Sequence, residues 1–220
     1  LVAPGDIVLD IGANLGLVTM QLARLVGDTG RVHAFEPNPA MVSLLSRTLE
    51  RNDARNVDLH ACALGAGPGS LELRIPVHHA GQASFVRNEQ NEGVEAVAVP
   101  VRPLASVVRE RDIGPVRFMK MDVEGFELEV LRGAEEWLAT CPPDFILFES
   151  NDFSGVPRVD PVMTFLVARG YQIYAIDRRY FTSSISLVQP QEGVPLHVHD
   201  FLGVHERAEA SLRSRLRVRG

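Results

Sequence analysis

Short apolar runs of strand length alternate along this chain with longer stretches of helical periodicity, and this alternation limits the fold more than any other feature. The first run begins at Ile7 and ends at Asp10, and a second runs from Arg31 to Phe35. Each is followed by apolar residues at helical spacing. Strands that alternate with helices in this way form a mostly parallel sheet with helices on both faces. We therefore predict an α/β sandwich.

Capping residues and further apolar runs locate the other elements. Asn38 is expected to cap a helix with Pro39 in its first turn, and Asp160 to cap another that begins at Pro161. The remaining predictions are strands at Val57–Leu64, Val116–Met121, Phe145–Phe148, Tyr171–Ile176 and Phe201–His205, and a hairpin-rich insertion at about 76–103.

The first predicted helix follows the first strand directly. Leu15, Val18, Leu22, Leu25 and Val26 fall at spacings that place them on one helical face. We expect that face to pack against the sheet.

Size and charge limit the classes of partner. The 220 residues, 45% of them apolar, are enough for one compact core, so we expect a single domain over residues 1–220. Lys and Arg total 22 against 28 Asp and Glu, a net charge of −6 that disfavours a nucleic-acid partner. No apolar run approaches the roughly twenty residues that cross a bilayer, so no membrane partner is expected.

Cysteine content and the first residue bear on where the protein works. Cys62 and Cys141 lack the number and spacing of a disulfide framework or a zinc site, which favours a cytoplasmic location. The chain starts at Leu1 rather than Met and has no secretory leader pattern, so we expect it to be trimmed from a longer polypeptide.

The segment Asp10-Ile11-Gly12-Ala13-Asn14-Leu15-Gly16 lies where the first strand turns into the first helix. In open parallel sheets, ligands bind outside the carboxyl ends of the strands. Gly12 and Gly16 leave room for backbone to approach a ligand, and the helix N-terminus is expected to offer free N–H groups. The alternative is a turn whose glycines serve only the local backbone.

Two details of this turn indicate the kind of ligand. A dinucleotide site needs three glycines, but Asn14 and Leu17 stand where the second and third would be. Asp10 would repel a pyrophosphate, whereas it suits a ligand that carries an ammonium and a sulfonium. The turn therefore favours S-adenosylmethionine, with NAD as the alternative.

Two other strand ends are candidates for the rest of such a ligand. Glu36, after the second strand, can accept hydrogen bonds from both ribose hydroxyls, unless it is only a helix-capping or exposed residue. Ala63 and Leu64 present small side chains and backbone to an adenine edge, although a plain strand end would look similar.

Acidic residues are dense after the fourth predicted strand, in Lys120-Met121-Asp122-Val123-Glu124-Gly125-Phe126-Glu127. Asp122 could orient the amino group of the cofactor or a metal, and Glu124 could take the proton of a substrate hydroxyl. Glu149, at the end of the fifth strand, is the second choice of base. With Asp122 and Glu124 it could also bind Mg²⁺. Alternatively, these acids only complement the positive end of the following helix.

Three segments together resemble the FkbM-type methyltransferase family: Asp10 to Gly16, Phe35-Glu36-Pro37-Asn38-Pro39, and Met119 to Glu127. The resemblance extends over about Gly5 to Glu149. It implies a Rossmann-like, class I, S-adenosylmethionine-dependent methyltransferase with a seven-stranded sheet whose last strand is antiparallel. It also implies O-methylation of sugars, polyketides and related small molecules.

The resemblance implies that Asp10, Gly12, Asn14 and Gly16 hold the methionine end of the donor and that Glu36 holds its ribose. We add Ala13, Pro37 and Asn38 to the predicted cofactor residues because they belong to the same two segments. Asp122 and Glu124 would border the substrate. No metal ligand is assigned.

The sequence therefore predicts methyl transfer to a hydroxyl of a small molecule or glycan. The alternatives are an NAD-dependent oxidoreductase and a cofactor-binding module of the same fold without turnover. The acceptor would be selected by the insertion at about 76–103 and by the region after Glu149, because loops carry specificity on a fixed scaffold.

Overall fold

The structure, a computed structural model, describes residues 1–76, 94–150, 160–179, 182–188, 199–215 and 218–219. Its strands in chain order are β1 (Ile7–Ile11), β2 (Arg31–Phe35), β3 (Val57–His60), β4 (Ala63–Leu64), β5 (Gly69–Pro76), β6 (Val94–Arg102), β7 (Val116–Met121), β8 (Phe145–Glu149), β9 (Tyr171–Arg179), β10 (Thr182–Val188), β11 (Asp200–His205) and β12 (Val218–Arg219).

Within those ranges the helices are α1 (Leu17–Val26), α2 (Pro39–Arg51), α3 (Leu104–Glu110), α4 (Glu127–Gly133), α5 (Glu135–Thr140), α6 (Pro161–Val167) and α7 (Glu209–Arg215), with a 3-10 turn at Glu206–Ala208. None of these helices has both the length and the apolar character that a bilayer crossing requires.

A nine-stranded sheet in the order β12-β10-β9-β11-β8-β7-β1-β2-β3 runs through the described residues. Strands β3, β2, β1, β7 and β8 are parallel neighbours, so their carboxyl ends lie at one edge. Strand β11 is antiparallel to β8 and β9. This topology places the predicted ligand turns side by side.

Helices cover both faces of the sheet because neighbouring residues of β1 point in opposite directions. Leu9 belongs to a buried cluster that includes residues of α3, α4, α5 and α6, while Val8 belongs to a separate cluster that includes residues of α1 and α7. Leu45 of α2 packs on Ala34 of β2. The three-layer, Rossmann-like α/β sandwich is therefore confirmed.

The sheet has two strands more than the seven that were predicted. Strand β10 pairs antiparallel with β9, from Thr182 opposite Arg179 to Val188 opposite Ile173, and β12 pairs with β10. These strands extend the edge farthest from β3. The antiparallel last strand of the predicted seven corresponds to β11. It comes last of those seven in the chain, but in the sheet it lies between β8 and β9.

A second, three-stranded sheet in the order β4-β6-β5 replaces part of the predicted third strand and the insertion. The prediction of one strand over Val57–Leu64 is wrong, because the N–H of Cys62 donates to the carbonyl of His60 and the chain turns there. Strands β5 and β6 form the expected hairpin, but it starts at Gly69 rather than near residue 76. Residues 77–93 of the insertion lie outside the described ranges.

The buried face of α1 also differs from the prediction. Leu15, before the helix, and Val18 and Leu25 within it are exposed, whereas Thr19 is buried together with Leu22. Thr19 is buried because its hydroxyl donates to Asp10, 2.6 Å away.

Two buried histidines lie side by side on neighbouring strands. His33 Nδ1 is 3.3 Å from His60 Nε2, and the His60 ring stacks on Phe35 with ring centres 4.5 Å apart. Burial lowers the pKa of both imidazoles, and the adjacent His33 helps to lower the pKa of His60 to about 4. The pair is therefore neutral in the folded protein near neutral pH.

This pair should make stability pH-dependent. As the pH falls below about 6.5, the unfolded chain binds protons that the two buried imidazoles exclude, so the contribution of this pair to the free energy of unfolding should drop by about 2 kcal/mol by pH ~4.5. In His60→Phe, which keeps a ring against Phe35, the drop should be smaller when urea unfolding is measured across this range. An unchanged slope in the variant would contradict the assignment.

Candidate functional site

Acidic residues meet at the carboxyl edge of four neighbouring strands. Asp10 lies in β1, Glu36 follows β2, Asp122 follows β7 and Glu149 ends β8. The strands are in register, with Asp10 opposite Lys120 and Met121 opposite Phe148. The structure therefore brings the predicted acidic residues to one edge.

The glycine turn after β1 directs its N–H groups into the protein. Gly12 and Ala13 both donate to the carbonyl of Phe35 at 3.0 Å, and Asn14 donates to Glu36 Oε2 at 2.8 Å. The N–H of Gly16 donates to Ala13 at 2.9 Å. These N–H groups of the turn are therefore already used within the protein and cannot be donors to a phosphate. The expectation of free N–H groups concerns the start of α1 at Leu17 and stays a prediction.

Glycine is favoured at two positions of this turn by the protein itself, at Gly12 by a backbone contact and at Gly16 mainly by a positive φ. Gly12 has φ +78°, and a Cβ there would lie 1.9 Å from the carbonyl oxygen of Asp122. Gly16 has φ +84°, and a Cβ there would lie 2.2 Å from the Leu45 side chain. Both residues thus let the turn pack against its neighbours. Their predicted contact with the donor stays a prediction.

Asp10 is fully buried, with none of its surface exposed. Its Oδ2 accepts the Thr19 hydroxyl, while its Oδ1 has no hydrogen-bond partner among the described residues and lies 3.5 Å from Lys120 Nζ. Burial raises the pKa of the carboxyl, and the charge of Lys120 opposes that effect. Oδ1 is a buried acceptor that a donor group of a ligand could satisfy.

Glu36 ties two turns together through its two carboxylate oxygens. Oε2 accepts the N–H of Asn14, and Oε1 accepts the N–H of Asn38, each at 2.8 Å. Asn38 in turn caps α2, as predicted, by accepting the N–H of Ala40 at 3.0 Å. Burial raises the pKa of Glu36, and the two N–H donors oppose the shift. Each oxygen keeps a lone pair for a further donor such as a sugar hydroxyl.

Lys120 is a site residue to which sequence reasoning gave no role. This buried side chain donates from Nζ to the Gly12 carbonyl at 2.8 Å. The same Nζ lies 3.5 Å from Asp10 Oδ1 and 3.4 Å from Asp122 Oδ2. Lysine is rarely buried unless it is paired with an acid. The sequence signal for a role of Lys120 was therefore a lysine inside a predicted buried strand, two residues before Asp122.

The turn after β7 is held in an unusual conformation. Glu124 has φ +53° and Gly125 φ +92°, both in the left-handed region. Glu127 stabilises this turn, since its Oε1 accepts the N–H groups of Val123 and Gly125 at 3.2 and 3.3 Å. Asp122 and Glu124 remain exposed, whereas Glu127 is buried.

Partial burial and neighbouring carboxylates raise the pKa values of Glu124 and Glu149. Partial burial, Asp122 and Glu127 raise the pKa of Glu124. Partial burial, Asp122, Glu124, Asp200 and Glu127 raise that of Glu149. A carboxylate with a raised pKa is a stronger base near neutral pH.

The Mg²⁺ prediction is not supported. Asp122, Glu124 and Glu149 were its expected ligands. In the part of the chain that the structure describes, no three His, Cys, Asp or Glu side chains come together as a group able to hold a metal ion.

A cavity of about 570 Å³ lies between α2 and β6 and reaches the residue after Glu36. Pro37 and Ala61 form part of its wall. Ala63 and Leu64, the predicted adenine neighbours, pair with β6 and bury their side chains in apolar clusters. Ala61 is therefore the exposed residue of this strand end, and the adenine contact of Ala63 and Leu64 stays a prediction.

The charges at this edge fit a cationic ligand. Asp10 and Glu36 are buried carboxylates, and the Lys120 ammonium is already surrounded by Asp10, Asp122 and the Gly12 carbonyl. A pyrophosphate would meet negative charge and inward-pointing N–H groups. The ammonium and sulfonium of S-adenosylmethionine would meet carboxylates, so the residues present fit that group.

Comparison with known proteins agrees with this geometry. The chain is 31% identical over 157 residues to methyltransferase sdnD of Sordaria araneosa, covering 59% of this chain and 60% of that protein. It is 29% identical over 159 residues to the 31-O-demethyl-FK506 methyltransferase FkbM of Streptomyces tacrolimicus, covering 60% and 61%. The matches thus span less than two thirds of these relatives.

A solved structure and a domain family also match. The crystal structure of methyltransferase FkbM from Methylobacillus flagellatus superposes with a TM-score of 0.57 at 20% identity, covering 90% of this chain and 43% of that one. At this identity the similarity establishes the fold. Residues 10–173 match the methyltransferase FkbM domain, and they include the glycine turn, Glu36 and the acidic turn after β7. The chain therefore belongs to the methyltransferase FkbM domain family.

Proposed function

We propose that this chain binds S-adenosylmethionine and transfers its methyl group to a hydroxyl oxygen of a small molecule or glycan. One observation carries the choice of donor. The N–H groups of Gly12, Ala13 and Asn14 point into the protein, while the carboxylates of Asp10 and Glu36 remain at the edge where ligands bind. That arrangement favours a cation over a phosphate.

The two buried carboxylates would divide the donor between them. Asp10 would attract its ammonium group through the oxygen that lacks a hydrogen bond. Glu36 would accept its ribose hydroxyls through the remaining lone pairs. When bound, S-adenosylmethionine supplies a methyl group on a positively charged sulfur, which is an activated leaving group.

A carboxylate on the acceptor side would handle the single proton. As the oxygen–carbon bond forms and the carbon–sulfur bond breaks, the hydroxyl proton passes to that carboxylate. Glu124 is our first choice of base and Glu149 the second, since the pKa of each is raised by partial burial and by neighbouring acids. The alignment of acceptor and donor supplies the rest of the rate enhancement.

Relatives support an oxygen acceptor. The Streptomyces tacrolimicus relative is named as a methyltransferase of 31-O-demethyl-FK506. The acceptor of this chain would lie over Glu124 and Glu149, at the exposed side of the edge. Its identity would be selected by residues around those two carboxylates.

Donor binding can be tested by thermal denaturation with added ligand. S-adenosylhomocysteine at about 100 times its Kd should stabilise the protein by about 2.7 kcal/mol, whereas NADH should not shift the melting temperature. Asp10→Asn should weaken the stabilisation because it removes the buried negative charge. Stabilisation by NADH alone would overturn the proposed donor.

The base can be identified from the dependence of kcat on pH in the wild-type protein and in Glu124→Gln and Glu149→Gln. Loss of the base should lower kcat by roughly 10²- to 10⁴-fold, while loss of the other carboxylate should have a much smaller effect. In the wild-type protein the acid limb of the profile should lie above the ordinary glutamate pKa, because both pKa values are raised.

Asp200→Asn serves as a matched control. Asp200 lies opposite Glu149 in the sheet and helps to raise the pKa of Glu149 but not that of Glu124. If Glu149 is the base, Asp200→Asn should move the acid limb to lower pH, and if Glu124 is the base the limb should stay in place. Turnover unchanged in both glutamine variants would contradict the assignment of a base here.

A further inference from the structure

Lys120 connects the two turns on which the donor would rest. It belongs to β7, directly opposite Asp10 of β1. Its Nζ reaches the Gly12 carbonyl at 2.8 Å, Asp10 Oδ1 at 3.5 Å and Asp122 Oδ2 at 3.4 Å. An ammonium group has three donors, and these three oxygens surround it.

The burial of Asp10 explains why a cation is needed at this place. A carboxylate without solvent contact favours its neutral form unless charge or hydrogen bonds compensate. Lys120 and the Thr19 hydroxyl both favour the ionised form of Asp10, while Asp122 favours the neutral form. From β2, the carboxylate of Glu36 also repels Asp10. Among the charged groups that face Asp10 from the described elements, Lys120 is the cation.

We propose that Lys120 is a positioning residue of the donor site. Its ammonium group fixes the Gly12 carbonyl and keeps Asp10 ionised, so that the carboxylate can bind the positive end of the donor. This inference rests on the proposed function, since it assigns a task to Asp10 in donor binding. The contacts of Lys120 Nζ are with protein oxygens: a hydrogen bond to the Gly12 carbonyl and ion-pair distances to Asp10 and Asp122.

The test uses calorimetric titration of S-adenosylhomocysteine at several pH values. Lys120→Gln can still donate to the Gly12 carbonyl but lacks the charge, so Asp10 should bind a proton at higher pH. Affinity should then fall by about tenfold for each pH unit below the new pKa of Asp10, at pH values where the wild-type protein still binds normally. Lys120→Arg, which keeps the charge, should retain most of the wild-type pH profile.

The Asp10→Asn background provides the control. Its affinity should be weak and independent of pH over this range, and adding Lys120→Gln to it should weaken binding far less than in the wild-type protein. The double variant should also fold, as judged by circular dichroism, because the buried charge of Asp10 is removed together with the cation that compensates it. If Lys120→Gln alone does not fold, a folded double variant would still show that the lysine is needed only when Asp10 carries a charge.

Three results would overturn the inference: an equal loss of affinity at every pH in Lys120→Gln, additive losses in the double variant, or a double variant that does not fold. Absence of binding to the wild-type protein at every pH would instead overturn the proposed function. The two failures are therefore distinguishable.

Discussion

The turn after β1 and the turn after β7 lie in direct contact, and the rest of the site depends on that contact. A Cβ at Gly12 would overlap the Asp122 carbonyl, and the N–H of Asp122 donates to Ile11 at 3.1 Å. Just before these turns, Asp10 and Lys120 are paired across β1 and β7, both buried, with Asp10 Oδ1 3.5 Å from Lys120 Nζ. The contact requires glycine at position 12 and keeps the two turns side by side.

Glu36 extends this arrangement to a third strand end. Its two oxygens hold the N–H groups of Asn14 and Asn38, so the starts of α1 and α2 are fixed relative to each other. Contacts within the protein thus hold Glu36 in place, and Lys120 and Thr19 likewise hold the carboxylate of Asp10. Polar groups that are already in place when a charged ligand arrives need little reorganisation to bind it.

Local signals in the sequence predicted the elements around the site well. Asn38 and Asp160 accept N–H groups in the first turns of α2 and α6, since capping depends on only a few neighbouring residues. Features that depend on distant contacts were missed. Thr19 is buried because it hydrogen-bonds to Asp10, and Lys120 because it hydrogen-bonds to the Gly12 carbonyl on the neighbouring strand end. Strand β4 pairs with β6 of the hairpin instead of continuing the main sheet. No local pattern carries that information.

The double role of Glu36 has a consequence for how such a site can diverge. A substitution there would change the proposed ribose contact and release the beginnings of two helices at once, so selection for a different donor would meet an immediate loss of structure. The side chain of Glu124, in contrast, is exposed. Descendants of this chain can therefore be expected to explore new acceptors while the donor stays the same.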